Sequence, residues 1–320
     1  MANDSRYNEI LDKITSARSI FLTTHEHPDG DAAASICALA EWLKFLGKKY
    51  YLFCADEPEA GLRFLPQIEK ISRDIGAVDF KNFDAVIVLD CGALRRTKIE
   101  TAIRESRLPI INIDHHISNG RFGDINLVDA EAASTTQLLY ELFKRGKVNI
   151  SRQLANCILT GIITDSGNFA YTAANSHTFS VASEMLAQGA NAREIINCTA
   201  KNKNLAMLKA WGFALSRLQY NARHDIAYTV LTQADLAEFG VNKQELEGLA
   251  SFLNNLKDAK IILVLHELGD GRIKGSLRTN RNEVDVAKLA QVFGGGGHKK
   301  AAGFEVEGRL VQYNNSWRIE

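Results

Sequence analysis

Short apolar runs alternate with amphipathic stretches over the first 190 residues of the chain. The runs are rich in β-branched and aromatic residues and are apolar on both faces, which is typical of strands buried in a parallel sheet. The predicted strands are Ser19–Thr24, Lys49–Cys54, Ala85–Asp90 and Pro109–Asp114.

Helical periodicity separates these runs and continues after them. This alternation of strands and helices predicts the α/β class, with a doubly wound, open parallel sheet covered by helices on both faces over residues 1–191. The predicted helices are Asp31–Phe45 (ended by Gly47), Thr97–Glu105, Ser134–Lys144, Ser151–Thr164 and Ser176–Gln188.

The pattern changes after residue 191. Residues 192–221 are predicted to form a helical connector without strands, and residues 222–320 a second, smaller α/β domain. A turn at Gly269-Asp270-Gly271 predicts a hairpin, and a glycine run with a closing strand ends the domain. The other predicted elements are strands at Ile226–Leu231, Lys260–Glu267 and Arg272–Leu277, and helices at Gln233–Phe239, Gln244–Asn254 and Val284–Phe293.

Composition narrows the classes of protein to consider. The chain has 46% hydrophobic residues and 38 basic against 38 acidic residues, so it does not resemble a protein that coats long nucleic acids through Lys and Arg. The N-terminus lacks an apolar signal region and no run is long enough to cross a bilayer. We therefore expect a cytoplasmic protein with no membrane partner. The five scattered cysteines form no CxxC pair, which argues against a zinc site.

Acidic residues and histidines follow at four places where an apolar run or a helix ends. Ligands of open α/β sheets bind outside the carboxyl ends of the strands. Three of the segments should therefore converge on one crevice, and a helix end should deliver the fourth. The residues concerned are His25, Asp29 and Asp31, then Asp90, then Asp114, His115 and His116, and lastly Asp165.

This mixture of carboxylates and imidazoles suits Mn²⁺, with Mg²⁺ or Co²⁺ as alternatives. An isolated Asp at a strand end is usually a cap or a turn former, so the argument depends on the combination. Several carboxylates cannot share a crevice without cations. Two ions about 3.5–4 Å apart need a bridging carboxylate, and Asp90, alone at its strand end, is the natural bridge.

The order HxxxDxD, then D, then DHH resembles the DHH phosphoesterase family, whose motif stands here as Asp114-His115-His116. The segment FGGGGHKKAAGF, residues 293–304, resembles the signature of the associated DHHA1 domain, so the resemblance spans nearly the whole chain. Together with THEHPDGDAAAS and GSLRTN, these segments most resemble the subfamily of bifunctional oligoribonucleases and pAp phosphatases, or nanoRNases.

The resemblance implies a role for each matching residue. His25 and Asp29 would bind one metal, Asp31, His115 and Asp165 the other, and Asp90 both. The catalytic His116 would donate a hydrogen bond to the phosphate, and Asp114 would orient the histidines. Two positions depart from the family. His27 stands where the family often has Asn, and the role of His27 is left open. The basic residue expected just before Tyr171 is lacking.

The glycine run of the second domain is a candidate for binding substrate. Successive glycines allow close approach of a ligand and expose N–H groups to an anion. Seven basic against three acidic residues lie between Asp270 and Gly303, which favours a phosphate-bearing ligand. Arg278 is the best candidate for a bidentate phosphate contact. The predicted substrate-binding residues are Arg278, Gly295, Gly296, Gly297 and His298.

The Asp and His cluster predicts a two-metal phosphoesterase, and the resemblance implies that its substrates are short oligoribonucleotides such as pApA, and pAp. The expected partner is thus short single-stranded RNA or a small nucleotide, and a homodimer is left open as the assembly. An inorganic pyrophosphatase or exopolyphosphatase would use the same centre but needs a denser ring of Lys and Arg. A non-catalytic nucleotide-binding module, or a tRNA-binding accessory, would have no reason to keep both metal sites.

Overall fold

The computed structural model of the 320-residue chain describes residues 2–170, 174–200, 204–241, 246, 248–314 and 316–320. The chain forms two compact units, an N-terminal unit Met1–Asn202 and a C-terminal unit Lys203–Glu320. The boundary falls inside the segment predicted as a connector, and the domain limits at residues 191 and 222 remain predictions. Tyr171 lies outside the described residues.

One parallel sheet organises the N-terminal unit. Its strands are β1 (Ser19–Thr23), β2 (Lys49–Phe53), β3 (Ile71–Ser72), β4 (Ala85–Leu89), β5 (Ile110–Asp114) and β6 (Ile125–Val128). Their order is β3-β2-β1-β4-β5-β6, with every ladder parallel. The chain order reverses between the neighbours β1 and β4, and such a switch point opens a crevice at the carboxyl ends of the strands.

The four predicted strands are confirmed, each to within one residue at its ends. The two edge strands of the sheet were not predicted. β3 has only two residues, too few for a periodic pattern. β6 alternates buried and half-buried residues, as an edge strand does, and so lacks a continuous apolar run.

Seven helices are described in the N-terminal unit. Ser134, Ser151 and Asn175 cap α4, α5 and α6 as side-chain acceptors. The helix predicted at Thr97–Glu105 starts later, because residues 94–97 form a 3₁₀ turn instead. None of the described helices combines the length and hydropathy needed to cross a bilayer. The helices are α1 (Ala2–Ser16), α2 (Gly30–Phe45), α3 (Glu100–Ser106), α4 (Thr135–Arg145), α5 (Arg152–Asp165), α6 (Ser176–Ala187) and α7 (Ala192–Thr199).

Both faces of this sheet are buried, which confirms the doubly wound prediction. Ile20 and Leu22 of β1 belong to a large core with α2, α4 and α5, whereas Phe21 belongs to a smaller core with α3. Successive strand residues point to opposite faces, so a strand covered on both sides must be apolar throughout. Cys37 and Cys157 lie in the larger core, and all five cysteines are unpaired.

A mixed sheet organises the C-terminal unit, in the order β11-β12-β10-β9-β8-β7. Only the β8–β9 ladder is parallel. The predicted hairpin is confirmed: β9 and β10 pair around Gly271, whose φ is 79°. The strands are β7 (Gln219–Asn221), β8 (Ile226–Leu231), β9 (Ile261–Glu267), β10 (Arg272–Arg278), β11 (Gly296–His298) and β12 (Ala301–Glu307), with a separate hairpin of β13 (Leu310–Tyr313) and β14 (Ser316–Ile319).

Two predictions for this part of the chain were wrong. The stretch 192–221 is not free of strands, because β7 pairs with β8 through Gln219–Asn221. The helix predicted at Gln244–Asn254 does not run through Gly248, whose φ is 91°; the described helix covers Leu249–Leu253, and residues 242–245 and 247 lie outside the described residues. The helices of this unit are α8 (Leu205–Ser216), α9 (Gln233–Phe239), α10 (Leu249–Leu253) and α11 (Val286–Val292).

Candidate metal centre

The loop between β1 and α2 places His25 and Asp29 together. Oδ1 of Asp29 caps α2, accepting hydrogen bonds from the N–H groups of Asp31 and Ala32 at 3.1 Å. Its other oxygen, Oδ2, lies 4.0 Å from Nε2 of the buried His25. Asp29 is therefore both a helix cap and a candidate ligand, one oxygen serving each role.

Asp31 is fully buried, and the start of α4 supplies its hydrogen bonds. Thr135 N donates to Oδ2 at 2.6 Å and Thr136 N donates to Oδ1 at 3.1 Å. The first N–H groups of a helix have no partner within the helix and carry partial positive charge. This helix end therefore fixes the carboxylate, while the Ser134 hydroxyl accepts a different donor, Gln137 N.

Asp90 lies at the centre of the cluster, directly after β4. Its Oδ2 is 3.7 Å from Nε2 of His25, and its Oδ1 is 3.7 Å from Nε2 of His115. The Thr135 hydroxyl donates to Oδ1 at 3.0 Å. Asp90 has a φ of 51°, a conformation that Asp tolerates better than most residues. One carboxylate thus faces a histidine on each side.

The hydrogen bonds of the histidines fix which nitrogen faces the carboxylates. Nδ1 of His25 contacts the Glu26 carbonyl at 2.6 Å, and Nδ1 of His115 contacts the Ala132 carbonyl at 3.1 Å. A carbonyl oxygen only accepts, so each Nδ1 carries the hydrogen. In the neutral ring Nε2 then has the lone pair, which is the state that binds metal ions.

His116 is held differently from its neighbour. Its Nδ1 lies 2.7 Å from Oδ1 of the fully buried Asp114. The same oxygen accepts the backbone N–H of His115 at 2.8 Å. His116 therefore places a ring nitrogen against Asp114, whereas His115 donates its backbone N–H to the same carboxylate.

The electrostatics of the cluster show a deficit of positive charge. Burial and the charge of Asp90 raise the pKa of Asp31 to about 7, and burial together with Asp31 raises the pKa of Asp165. Burial lowers the pKa of His25, but Asp90 and Asp29 together outweigh it and the net change is upward. Burial raises the pKa of Asp90, yet His25 and the other two rings bring it well below its ordinary range.

These donors fit two divalent ions. Within the described residues, ligand atoms of His25, Asp29 and Asp90 lie within 4.8 Å of one another, and so do those of Asp31, Asp90 and His115. Asp165 lies beside the second group, with Oδ2 3.2 Å from Nε2 of His115. Both groups contain Asp90. Carboxylate oxygen with imidazole nitrogen is a donor set for Mn²⁺ or a similar ion.

The predicted substrate-binding residues of the C-terminal unit lie in or next to strands β10 and β11. Arg278 ends β10, where Nε donates to the Ser251 hydroxyl at 3.3 Å and Nη1 to the Leu277 carbonyl at 3.0 Å. His298 ends β11. A Cβ on Gly295 or Gly297 would lie 2.1 Å or 2.6 Å from a backbone oxygen of β12.

The close pairing of β11 with β12 therefore requires two glycines of the run. A Cβ on Gly296, by contrast, would meet nothing within 4 Å. Binding of substrate by the predicted glycines, Arg278 and His298 remains a prediction.

Sequence reasoning overlooked the residues that hold the ligands in place. The segment Ser134-Thr135-Thr136 was predicted to begin a helix, and its Thr135 and Thr136 also bind Asp31 and Asp90. Gly161 leaves room for Asp31, since a Cβ there would lie 2.2 Å from its Oδ1. Asn119 contacts Asp114. The available signal was a run of small polar residues and a glycine inside predicted helices.

Comparisons with known proteins agree with this geometry. The model of the DHH family, N-terminal domain, matches residues 19–162, and the DHHA1 domain matches residues 225–314. The bifunctional oligoribonuclease and PAP phosphatase NrnA of Thermus thermophilus is 31% identical over 294 residues, covering 90% of this chain and 84% of that protein. NrnA of Bacillus subtilis is 26% identical over 301 residues, covering 93% and 92%.

A solved structure resembles the whole chain. An exopolyphosphatase-related protein from Bacteroides fragilis matches with a TM-score of 0.89 and 27% identity, over 95% of this chain and 92% of that one. The similarity to the NrnA relatives extends over nearly the full length of both proteins. The chain therefore belongs to the DHH–DHHA1 family, in the group of the NrnA bifunctional oligoribonucleases and PAP phosphatases.

Proposed function

We propose that this protein hydrolyses phosphate esters of short oligoribonucleotides and of 3′-phosphoadenosine 5′-phosphate, with two divalent metal ions as cofactors and Mn²⁺ as the preferred ion. The observation that carries the proposal is the pair of ligand groups that share Asp90. The names of the NrnA relatives support the choice of substrate. The protein acts in the cytoplasm, as a monomer or a homodimer.

The proposed metal ligands divide into two sets around the shared carboxylate. His25 and Asp29 complete one site, and Asp31, His115 and Asp165 complete the other. The ions, when bound, supply a nucleophilic water near neutral pH and offset charge on the phosphoryl oxygens. No Ser or Cys is required as a covalent nucleophile.

The residues of the chain then perform three tasks. The start of α4 and the Thr135 hydroxyl fix Asp31 and Asp90, so the ligand oxygens keep their separation. The backbone carbonyls behind His25 and His115 fix their tautomers. His116, whose Nδ1 contacts Asp114, uses its other ring nitrogen to donate a hydrogen bond to the reacting phosphate, where charge increases in the transition state.

The C-terminal unit contributes substrate binding in this proposal. Arg278, His298 and the glycine run contact the phosphates or sugar of the nucleotide. Arg272 is not part of this contact surface, because its guanidinium binds Asp270 and Glu305. The planar guanidinium of Arg278 suits a bidentate contact with one phosphate.

A second candidate, an exopolyphosphatase or pyrophosphatase, uses the same metal centre. The similarity to the exopolyphosphatase-related protein from Bacteroides fragilis favours it. The two candidates differ in the substrate and not in the ions, so metal binding does not separate them.

A substrate panel separates them. Purified protein with Mn²⁺ is given pAp, pApA, a five-nucleotide RNA, pyrophosphate and polyphosphate, and the His116→Ala variant is the control for a contaminating activity. We expect turnover of pAp and of the short RNAs, and at least about 10²-fold less with the variant, the usual loss of one transition-state donor. Turnover confined to pyrophosphate or polyphosphate would reverse the order of the two candidates.

A further inference from the structure

Asn119 lies in the turn that follows the DHH segment and is half-buried. The orientation of its amide is fixed by its neighbours. Oδ1 accepts the backbone N–H of Arg121 at 2.7 Å, which only an oxygen does. Nδ2 therefore faces three acceptors: the carboxylate Oδ2 of Asp114, the carbonyl of Cys91 at 3.2 Å and Oδ1 of Asn112 at 3.3 Å.

These contacts place Asn119 between two loops of the metal centre. Cys91 directly follows Asp90, and Gly120 N also donates to the Gly92 carbonyl at 3.2 Å, so the turn is joined to the loop after β4. Each oxygen of Asp114 has a distinct partner: Oδ1 contacts Nδ1 of His116, and Oδ2 accepts from Asn119. The carboxylate cannot rotate without breaking one of these contacts.

A network of amides supports Asn119 from the sheet. Asn112, buried in β5, donates to Oδ1 of Asn119 at 2.9 Å and to Oδ1 of Asn126 at 3.0 Å. Asn126 in turn bonds with the backbone of Gly123. Asn119 is the amide that contacts Asp114, whereas Asn126 contacts Asn112 and Gly123, so these two residues provide a matched pair of positions for mutation.

We propose that Asn119 is a positioning residue for hydrolysis, which holds the Asp114 carboxylate so that it aligns the His116 imidazole with the phosphate. The proposal rests on the proposed function of His116. The side chain of Asn119 contacts Asp114, Asn112, the Cys91 carbonyl and the Arg121 N–H. Of these, Asp114 contacts the His116 ring, so Asn119 acts through Asp114. Its loss should lower kcat more than it changes KM or metal content.

A double-mutant cycle tests this action. kcat, KM and bound Mn²⁺ are measured on pAp and pApA for wild type, Asn119→Ala, His116→Ala and the double variant. We expect Asn119→Ala to lose about 10- to 100-fold in kcat, as supporting partners of such sites do. In the His116→Ala background the same change should cost less than about twofold, because residues that act as a unit are not additive. Multiplied losses would overturn the proposal.

Asn126→Ala is the matched control. It removes an amide from the same network but not from Asp114, so its kcat should stay near wild type even if its melting temperature falls. A kcat loss equal to that of Asn119→Ala would mean that the network only stabilises the fold. Asn119→Asp keeps the oxygen that accepts Arg121 N but loses the donor, and wild-type kcat in this variant would also contradict the proposal.

A crystal structure of Asn119→Ala tests the inference without any activity. We expect the 2.7 Å contact between His116 Nδ1 and Asp114 Oδ1 to lengthen or break, and its retention would overturn the proposal. If wild-type protein hydrolyses none of the nucleotides, the proposed function fails, and this structural comparison still decides the role of Asn119 in aligning His116.

Discussion

A Cβ atom on Gly161 would lie 2.2 Å from Oδ1 of Asp31. The same Cβ would meet Oγ1 of Thr136 at 2.2 Å. Gly161 is inside α5, at the place where this helix packs against α2 and the start of α4. Because Gly161 has no side chain, there is space here for the Asp31 carboxylate to contact the start of α4.

Gly161→Ala should displace Asp31 and weaken the metal site to which it belongs. Overpacking of a buried contact typically costs about 1–3 kcal/mol, and here part of that cost falls on a proposed ligand. We expect bound Mn²⁺ to fall from two equivalents towards one, measured by metal analysis after gel filtration. Gly212→Ala in α8 is the control, because a Cβ there meets nothing within 4 Å. Equal metal content in the two variants would contradict this account of Gly161.

Thr135→Val should lower metal affinity without removing any proposed ligand. The change deletes the hydroxyl that donates to Asp90 at 3.0 Å but keeps the shape of the side chain and the backbone N–H that binds Asp31. Loss of such a supporting contact typically costs about 10- to 100-fold in affinity, measurable by calorimetric titration. Thr160→Val is the control, since that hydroxyl bonds to a carbonyl of its own helix. Unchanged affinity in Thr135→Val would show that the contact is dispensable.

The stability of the metal-free protein should fall as pH rises. Burial and Asp90 raise the pKa of Asp31 to about 7. Burial lowers the pKa of His116, but Asp114 and Asp90 together outweigh it and raise this pKa to about 9. Ordinary values are about 4 for Asp and 6.5 for His. A raised pKa contributes stability that is full below the unfolded value and is lost as pH rises through the folded value. Both groups thus act in the same direction between pH 4 and 9.

Scanning calorimetry checks this expectation. The melting temperature without metal should decrease from pH 5 to pH 9, and Mn²⁺ added at pH 8 should restore it, because ions that bind only the folded state stabilise it. The lowered pKa of Asp90 makes the stability rise with pH, but only at pH values below the ordinary pKa of an Asp side chain. A melting temperature that rises from pH 5 to pH 9, or that does not change when Mn²⁺ is added, would contradict the inference that the cluster needs cations to offset its charge.

Arg278→Ala should impair nucleotide binding and leave the metal centre intact. If its guanidinium binds a phosphate, its loss should raise KM for pAp and pApA by an amount equivalent to about 2–5 kcal/mol, with hydrolysis of bis-p-nitrophenyl phosphate nearly unchanged. Arg272→Ala, in the same strand but engaged with Asp270 and Glu305, should have little effect on either. Equal losses of Arg278→Ala on both substrates would mean that this residue supports the fold.

The elements that could be predicted from the sequence are those whose burial or capping leaves a local pattern of residues. Strands such as Ala85–Leu89 are buried on both faces and must be apolar throughout. A capping residue such as Ser134 indicates where a helix begins. The edge strand Ile125–Val128 and the pairing of Gln219–Asn221 depend on neighbours distant in the chain. No local pattern encodes that dependence.

The candidate site divides in the same way. Asp90 and the DHH segment were found because the residues that follow the strands of an open α/β sheet lie close together at its ligand-binding edge. Thr135 and Asn119 were not found, because a hydroxyl or an amide acquires its role only from the carboxylate that the fold brings to it. His27 illustrates a third case: its φ of 49° is a conformation that Asn and His both tolerate, which accounts for either residue at this position.

The metal content of Asp90→Ala, compared with His116→Ala, tests the central claim most directly. Asp90 belongs to both ligand groups, so its removal should leave less than one tightly bound Mn²⁺ per chain and no turnover. His116→Ala, a change of the same kind a few ångströms away, should retain two ions while its kcat falls. The account predicts two equivalents in wild type and in His116→Ala but not in Asp90→Ala. Two equivalents in Asp90→Ala would contradict it.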